Sequence, residues 1–110
     1  MPEALDTLFL RVGDILDMNL YSFHGNIKIC NDLLGLKNIY SNLFGADLGD
    51  RISFYASEVN TIYISGANFE RGVLGHEIAH ALICRYFFVP PSIKIQELLA
   101  MYVEYQLRKI

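Results

Sequence analysis

The chain is poor in the residues that mark several common classes of protein. Its 110 residues include no tryptophan, three prolines and two cysteines, and only 19% of them are charged. Cys30 and Cys84 lie far apart and form no CxxC motif, which argues against a disulfide framework and against a cysteine zinc site. We therefore interpret both cysteines as buried structural thiols.

The basic residues are not clustered. The net charge is -3, and the nine lysines and arginines stand singly along the sequence until the final pair, Arg108 and Lys109. Domains that bind nucleic acid usually concentrate their basic residues on one face. We expect no nucleic-acid partner.

Long hydrophobic runs are also missing, although 53% of the residues are hydrophobic. The N-terminus is acidic, and Arg11 interrupts the apolar stretch of residues 8–10, so neither a signal peptide nor a targeting helix is predicted. No apolar run approaches the ~20 residues that a membrane-spanning helix needs. We expect a cytoplasmic protein with no membrane span.

The length and hydrophobic content predict one folded domain over residues 1–110. In residues 3–18, apolar side chains recur at intervals of three and four, which predicts an amphipathic first helix. Residues 27–30 alternate and predict a short strand. Asp32 can cap a second helix that ends near Gly45.

Two further helices are predicted in the second half of the chain. A long helix should run from about residue 69 to residue 87, after a turn that offers an N-cap. Pro90 and Pro91 end it, because proline lacks the amide hydrogen and disfavours helical geometry in the residue before it. The last helix should run from about residue 92 to the C-terminus.

Two segments rich in β-branched and aromatic residues, 52–56 and 61–65, predict a hairpin. The second segment is a candidate edge strand that captures an extended peptide. An equally weighted alternative is an ordinary strand with Ile62 and Ile64 in the core. With the helices, this pattern predicts an α+β fold: a small, largely antiparallel three-stranded sheet packed with about four helices.

The most informative motif lies in the long helix. Residues 76–80 read HEIAH, an HExxH pentapeptide, and residues four apart share one face of a helix. His76 and His80 can therefore ligate one zinc ion. Glu77 lies about 100° around the helix, where it can take a proton from a metal-bound water. The motif predicts two zinc ligands and a catalytic base.

A catalytic zinc site needs a third protein ligand and an open position. Glu97 is the preferred candidate, because the Pro90-Pro91 turn can return the start of the last helix to the histidines. Glu104 is the less favoured alternative, since it lies about 10 Å further along the helix axis. We interpret it as an outer residue behind the ligands or as a solvated one. His24, in a turn, is an outside candidate.

The hairpin, the HExxH helix, the turn and a last helix that opens with QELLA at residues 96–100 resemble the gluzincin metallopeptidases. The short length and the order of elements are most similar to the minigluzincins, minimal domains similar to the catalytic domains of membrane peptidases of the CAAX prenyl protease and β-lactam-sensor type. This resemblance implies a zincin-like fold with His76, His80 and Glu97 as zinc ligands. It also implies that Glu77 is the general base and acid.

The function expected from the motif and the resemblance is that of a zinc-dependent metalloendopeptidase. It would hydrolyse peptide bonds of a peptide or protein substrate with a zinc-bound water that Glu77 activates. The resemblance also implies a latent, zymogen-like form, and Met101 departs from it by standing where many gluzincins have an acidic residue. The alternative is a non-catalytic, zinc-stabilised regulatory or assembly module that forms a homodimer through its C-terminal helix.

Overall fold

The structure is a computed structural model that describes residues 2–18 and 25–109. His24, the outside candidate for a ligand, lies outside the described residues. The elements in chain order are α1 (Pro2–Leu16), β1 (Asn26–Cys30), α2 (Leu33–Phe44), β2 (Ser53–Ala56), β3 (Thr61–Ser65), α3 (Arg71–Tyr86) and α4 (Ile93–Arg108). The predicted α+β class is confirmed for the described residues, which form four helices and one three-stranded sheet.

The sheet is mixed, with the strand order β1-β3-β2. β2 and β3 form the predicted antiparallel hairpin, in which Ser53 lies opposite Ile64. β1 instead runs parallel to β3, with Asn26 opposite Thr61. The prediction of a largely antiparallel sheet is therefore not confirmed. The reason is the connection: α2 and β2 both lie between β1 and β3 along the chain, and strands joined by so long a connection can pair in parallel.

β3 is the central strand of this sheet, so the interpretation of residues 61–65 as a peptide-capturing edge is wrong. All five of its residues are buried, and Ile62 and Ile64 expose only 4% and 0% of their surface. The neighbours on both sides occupy its backbone hydrogen-bonding groups. β2 is the edge strand on the side of the motif.

Local capping explains both ends of α2 and the start of α4. Asp32 Oδ1 accepts a hydrogen bond of 2.8 Å from the Gly35 amide at the start of α2, and Gly45 ends that helix with a left-handed φ of 64°. α3 begins at Arg71, later than predicted, because Phe69 and Glu70 keep an extended backbone after a 3-10 turn at residues 66–68. Ser92 caps α4.

α3 is the central helix and packs against β3, α1 and α4. The main hydrophobic cluster draws on all four elements and contains Leu8, Val12, Ile62, Leu74, Ile78, Ala79, Leu82, Ala100, Val103 and Leu107. This burial leaves the face of α3 that carries the histidines turned towards β2 and the start of α4. None of the helices in the described part of the chain is long and apolar enough to cross a membrane.

Candidate metal centre

α3 and α4 bring His76, His80 and Glu97 together. Glu97 Oε1 lies 3.3 Å from His76 Nε2 and makes a short contact with His80 Nε2. One ligand atom from each of the three residues lies within 4.8 Å of the other two. The three side chains preferred as ligands from the sequence therefore share one centre, which spans two helices.

The other ring nitrogen of each histidine faces an acceptor. His76 Nδ1 lies 3.0 Å from Glu104 Oε1, and His80 Nδ1 lies 3.2 Å from Gln96 Oε1. The Gln96 amide nitrogen donates to the Pro91 carbonyl oxygen at 3.0 Å, which assigns the amide oxygen to the histidine side. Because both partners can only accept, we assign the proton of each imidazole to Nδ1.

This assignment determines what the centre can hold. A neutral imidazole protonated at Nδ1 directs the lone pair of Nε2 towards Glu97 Oε1, which also carries only lone pairs. These converging acceptors repel one another unless a cation or an additional proton lies among them. Two imidazole nitrogens and one carboxylate oxygen are a donor set of catalytic zinc sites. The residues present therefore fit a zinc ion.

The charge of Glu97 suits a ligand. Burial raises the pKa of its carboxyl group, but the contacts with His80 and His76, which attract the carboxylate when a ring carries an added proton, together outweigh burial. The pKa of Glu97 is therefore below its ordinary value, and the ionised form, which can bind a cation, is favoured.

Glu77 is buried beside the centre and is not one of the three clustered donors. It exposes 7% of its surface, and its Oε2 accepts a hydrogen bond of 2.7 Å from Ser53 Oγ on β2. Burial raises the pKa of Glu77, while the Ser53 hydrogen bond and the two histidines act in the opposite direction. A carboxyl group with a raised pKa holds a proton more readily, which suits a group that accepts a proton and then returns it.

The centre lies in a cleft of about 220 Å³. β2 supplies one wall, which includes Ser53 and Tyr55, and the start of α4 supplies the other, which includes Ile93. Glu77, the two histidines and Glu97 also line the cleft. Sites for small molecules usually measure ~300–1,000 Å³, so this cleft is narrow for a ligand of several residues.

Three residues around the centre escaped the sequence interpretation: Gln96, Ser53 and Arg108. Gln96 had a usable signal, because it occupies the first position of the stripe of residues 96, 100, 103 and 107 that α4 buries. A polar residue in an otherwise apolar stripe needs a buried partner. Ser53 and Arg108 gave no comparable signal. Glu104, the less favoured ligand candidate, contacts Nδ1 of His76, whereas Glu97 contacts Nε2 of the same ring.

Both cysteines are free thiols. Cys30 is buried as predicted, whereas Cys84 is partly exposed and lines the cleft. Burial raises the pKa of both thiols, which favours the protonated form. Neither cysteine belongs to the group of donors that converge at the centre.

Comparison of the chain with protein-family models, with curated proteins and with solved structures finds no match. Its function is therefore inferred from the side chains of this cleft.

Proposed function

We propose that the chain is a zinc-dependent metalloendopeptidase with a zincin-like fold, latent as isolated. The observation that supports this proposal is the convergence of His76 Nε2, His80 Nε2 and Glu97 Oε1 in a cleft that also contains buried Glu77. Zinc, when bound, polarises a carbonyl group and lowers the pKa of a bound water to about 7.

Glu77 carries the proton transfers of the proposed reaction. Its carboxylate takes a proton from the attacking water, whose oxygen forms a bond to the peptide carbonyl carbon. It then returns that proton to the amide nitrogen as the carbon–nitrogen bond breaks, which leaves a carboxylic acid and an amine. The hydrogen bond from Ser53 Oγ holds the carboxylate in the wall of the cleft during both steps.

The substrate of this proposal is an extended peptide that lies along β2. β2 is an edge strand, and residues 53–55 line the cleft. A peptide added to an exposed sheet edge gains backbone hydrogen bonds without a preference for particular side chains. The supporting strand is thus the neighbour of residues 61–65, which the sequence offered as one of two equally weighted interpretations.

The narrow cleft supports latency. Its volume of about 220 Å³ is small for an extended peptide, which would contact both β2 and the start of α4. Ile93 lies on the α4 wall just after the Pro90-Pro91 turn. We infer that activation widens the gap between this wall and β2.

Metal analysis and proteolysis together test the proposal. Purified protein should contain about one zinc per chain, and His76→Ala and Glu97→Ala should each lose it, because a site with two protein ligands binds zinc poorly. Glu77→Ala should keep the zinc and lose the slow cleavage of an unfolded, casein-like substrate. If both His76→Ala and Glu97→Ala still contain one zinc per chain, the proposal is contradicted.

A second candidate function is a non-catalytic, zinc-stabilised assembly module that forms a homodimer through α4. It is favoured by the outward face of that helix, where Leu98, Met101, Tyr102 and Tyr105 are all at least half exposed. Their helical spacing makes one apolar stripe opposite the buried one. Contiguous exposed apolar surface of this kind commonly marks an interaction site.

The two functions differ in measurable ways. The assembly module predicts a mass in solution that doubles with concentration, a return to monomer in Leu98→Glu, and no cleavage that depends on Glu77. The endopeptidase predicts Glu77-dependent cleavage, and Leu98→Glu, which lies outside the cleft, should leave that cleavage unchanged.

A further inference from the structure

We propose that Arg108 is a positioning residue of the metal centre, which acts by holding Glu104 against His76. The inference rests on the proposed function, because the property that it predicts is the affinity of that centre for zinc. It assigns a role in the site to the last turn of α4, which contributes no ligand.

Arg108 connects the two helices that carry the centre. Its Nε and Nη2 donate to Glu104 Oε2 at 3.1 and 2.8 Å, and Nη2 also lies 2.5 Å from Glu70 Oε1, at the N-cap of α3. Glu104 keeps its other oxygen for His76 Nδ1, at 3.0 Å. A continuous chain of charged contacts therefore runs from the start of α3, across α4, to a ligand ring.

The geometry indicates that this series of contacts orients Glu104 and the His76 ring and contributes little to stability. Isolated ion pairs at the surface contribute little to folding, and Arg108 is about half exposed. Two donors from one guanidinium on the same oxygen do, however, restrict where that carboxylate oxygen can lie. Glu104 has a long side chain with 30% exposure, and holding it against His76 costs rotamer freedom. Because the contact with Arg108 already restricts the same rotamers, the contact with His76 costs less additional entropy.

Gly72 provides the space for this arrangement. A Cβ atom on Gly72 would lie 2.7 Å from Arg108 Cζ and 2.9 Å from its Nε. The guanidinium therefore occupies the volume that any other residue would fill at the first turn of α3. A poor helix former at this position is explained by the approach of Arg108.

Loss of Arg108 should weaken zinc binding because it changes the orientation of the His76 imidazole. Without the guanidinium, Glu104 is free to turn towards solvent, and His76 Nδ1–H loses its fixed acceptor. The ring can then rotate or change tautomer, which turns the Nε2 lone pair away from Glu97 and His80. Mutation of the group that accepts a hydrogen bond from a metal-bound histidine typically lowers metal affinity ~10–100-fold.

A double-mutant cycle on zinc affinity tests the inference. Wild type, Glu104→Ala, Arg108→Gln and the double variant are titrated with zinc alone, in competition with a chromophoric chelator. We expect Glu104→Ala to bind zinc ~10–100-fold more weakly, and Arg108→Gln ~3–10-fold more weakly, because it acts through Glu104. In the Glu104→Ala background, Arg108→Gln should have no further effect.

Lys109→Gln is the matched control, because it removes the same charge one residue further on and outside the network. It should bind zinc within about twofold of wild type, as expected for a surface change. Additive losses in the double variant, or wild-type affinity in Arg108→Gln, would overturn the inference alone. Wild-type protein that binds no zinc would overturn both it and the proposed function.

Gly72→Ala gives a second test that leaves every charged group in place. Alanine is the better helix former, so the unfolding temperature of the metal-free protein should not fall. The added methyl group displaces the guanidinium, and zinc affinity should fall as in Arg108→Gln. Unchanged affinity in Gly72→Ala would contradict the role of Arg108.

Discussion

At the scale of single residues, each histidine of the centre presents one ring nitrogen to the shared point because an acceptor engages the other. Glu104 does this for His76 and Gln96 for His80. The Gln96 amide also donates to the Pro91 carbonyl oxygen, which ties the orientation of His80 to the turn between α3 and α4. The two rings are therefore oriented before an ion arrives, which limits the entropy that binding costs.

Glu77→Gln separates catalysis from metal binding. The amide has nearly the same shape as the carboxylate but cannot take a proton from water, so hydrolysis should fall by ~10²–10⁴-fold. Zinc affinity should stay near that of wild type, because Glu77 is not among the clustered donors. Peptide-cleavage rates and zinc titrations on the same preparations measure both. Glu58→Gln, at an exposed glutamate, is the control and should change neither.

Ser53→Ala tests the support of Glu77. It leaves a carboxylate oxygen that is buried without its donor, which costs ~1–3 kcal/mol of the free energy of unfolding. Denaturant unfolding of the metal-free protein measures that loss. Ser41→Ala makes the same chemical change at an exposed position of α2 and should stay within about 0.5 kcal/mol of wild type. Equal effects in the two variants would refute a role for the Ser53 hydrogen bond.

Helical spacing and the proline turn predicted that His76, His80 and Glu97 meet at the centre. His76, Glu77 and His80 lie on one helix, where position dictates direction, and the Pro90-Pro91 turn pointed to Glu97. Ser53 could not be found in this way. Its contact with Glu77 joins a strand to a helix 24 residues later, and this contact exists only once the hairpin has packed against α3.

At the scale of elements, the centre depends on how closely α4 approaches α3. Gly75 permits that approach, because a Cβ atom there would collide with Leu107 Cδ1, and Leu107 is itself buried. His76, the residue after Gly75, must reach Glu97 on the facing helix. The helix spacing that serves the core therefore also sets the distances between the ligand atoms.

Gly75→Ala should destabilise the protein in spite of the better helix propensity of alanine. Filling an occupied site costs ~1–3 kcal/mol, which exceeds the gain of about 1 kcal/mol or less from propensity. Denaturant unfolding measures the loss, and adding Leu107→Val should recover part of it. Gly35→Ala in α2 is the control, since its methyl group meets only Asp32 Oδ1 at 3.4 Å. A Gly75→Ala variant as stable as that control would contradict this packing.

Elements set by local signals were predictable, whereas the sheet topology was only partly so. The caps at Asp32 and Gly45 and the proline turn act over a few residues, and the hairpin needs only a short connection. Pairing of β1 with β3 brings together segments separated by α2 and β2. Alternation within residues 27–30 predicted a strand but carried no information about the direction of its partner.

At the scale of the whole molecule, a bound zinc ion would connect α3 to α4 and so stabilise the packing of the last helix. A ligand that binds only the folded state adds about 2.7 kcal/mol to the free energy of unfolding when its free concentration is 100 times Kd. Zinc should therefore raise the unfolding temperature in proportion to the logarithm of its concentration. The rise should disappear in His80→Ala, while Lys109→Gln should keep it. A wild-type unfolding temperature that does not respond to zinc would contradict the link.

The central claim is that His76, His80 and Glu97 hold one zinc ion beside Glu77. The most direct test is a crystal of the protein grown with zinc and measured on both sides of the zinc absorption edge. We expect one strong anomalous peak between α3 and α4, at ~2.0–2.2 Å from both Nε2 atoms and from a Glu97 oxygen. A peak coordinated by Glu104 instead of Glu97 would contradict the account. So would a cleft with no anomalous peak in crystals grown at a saturating zinc concentration.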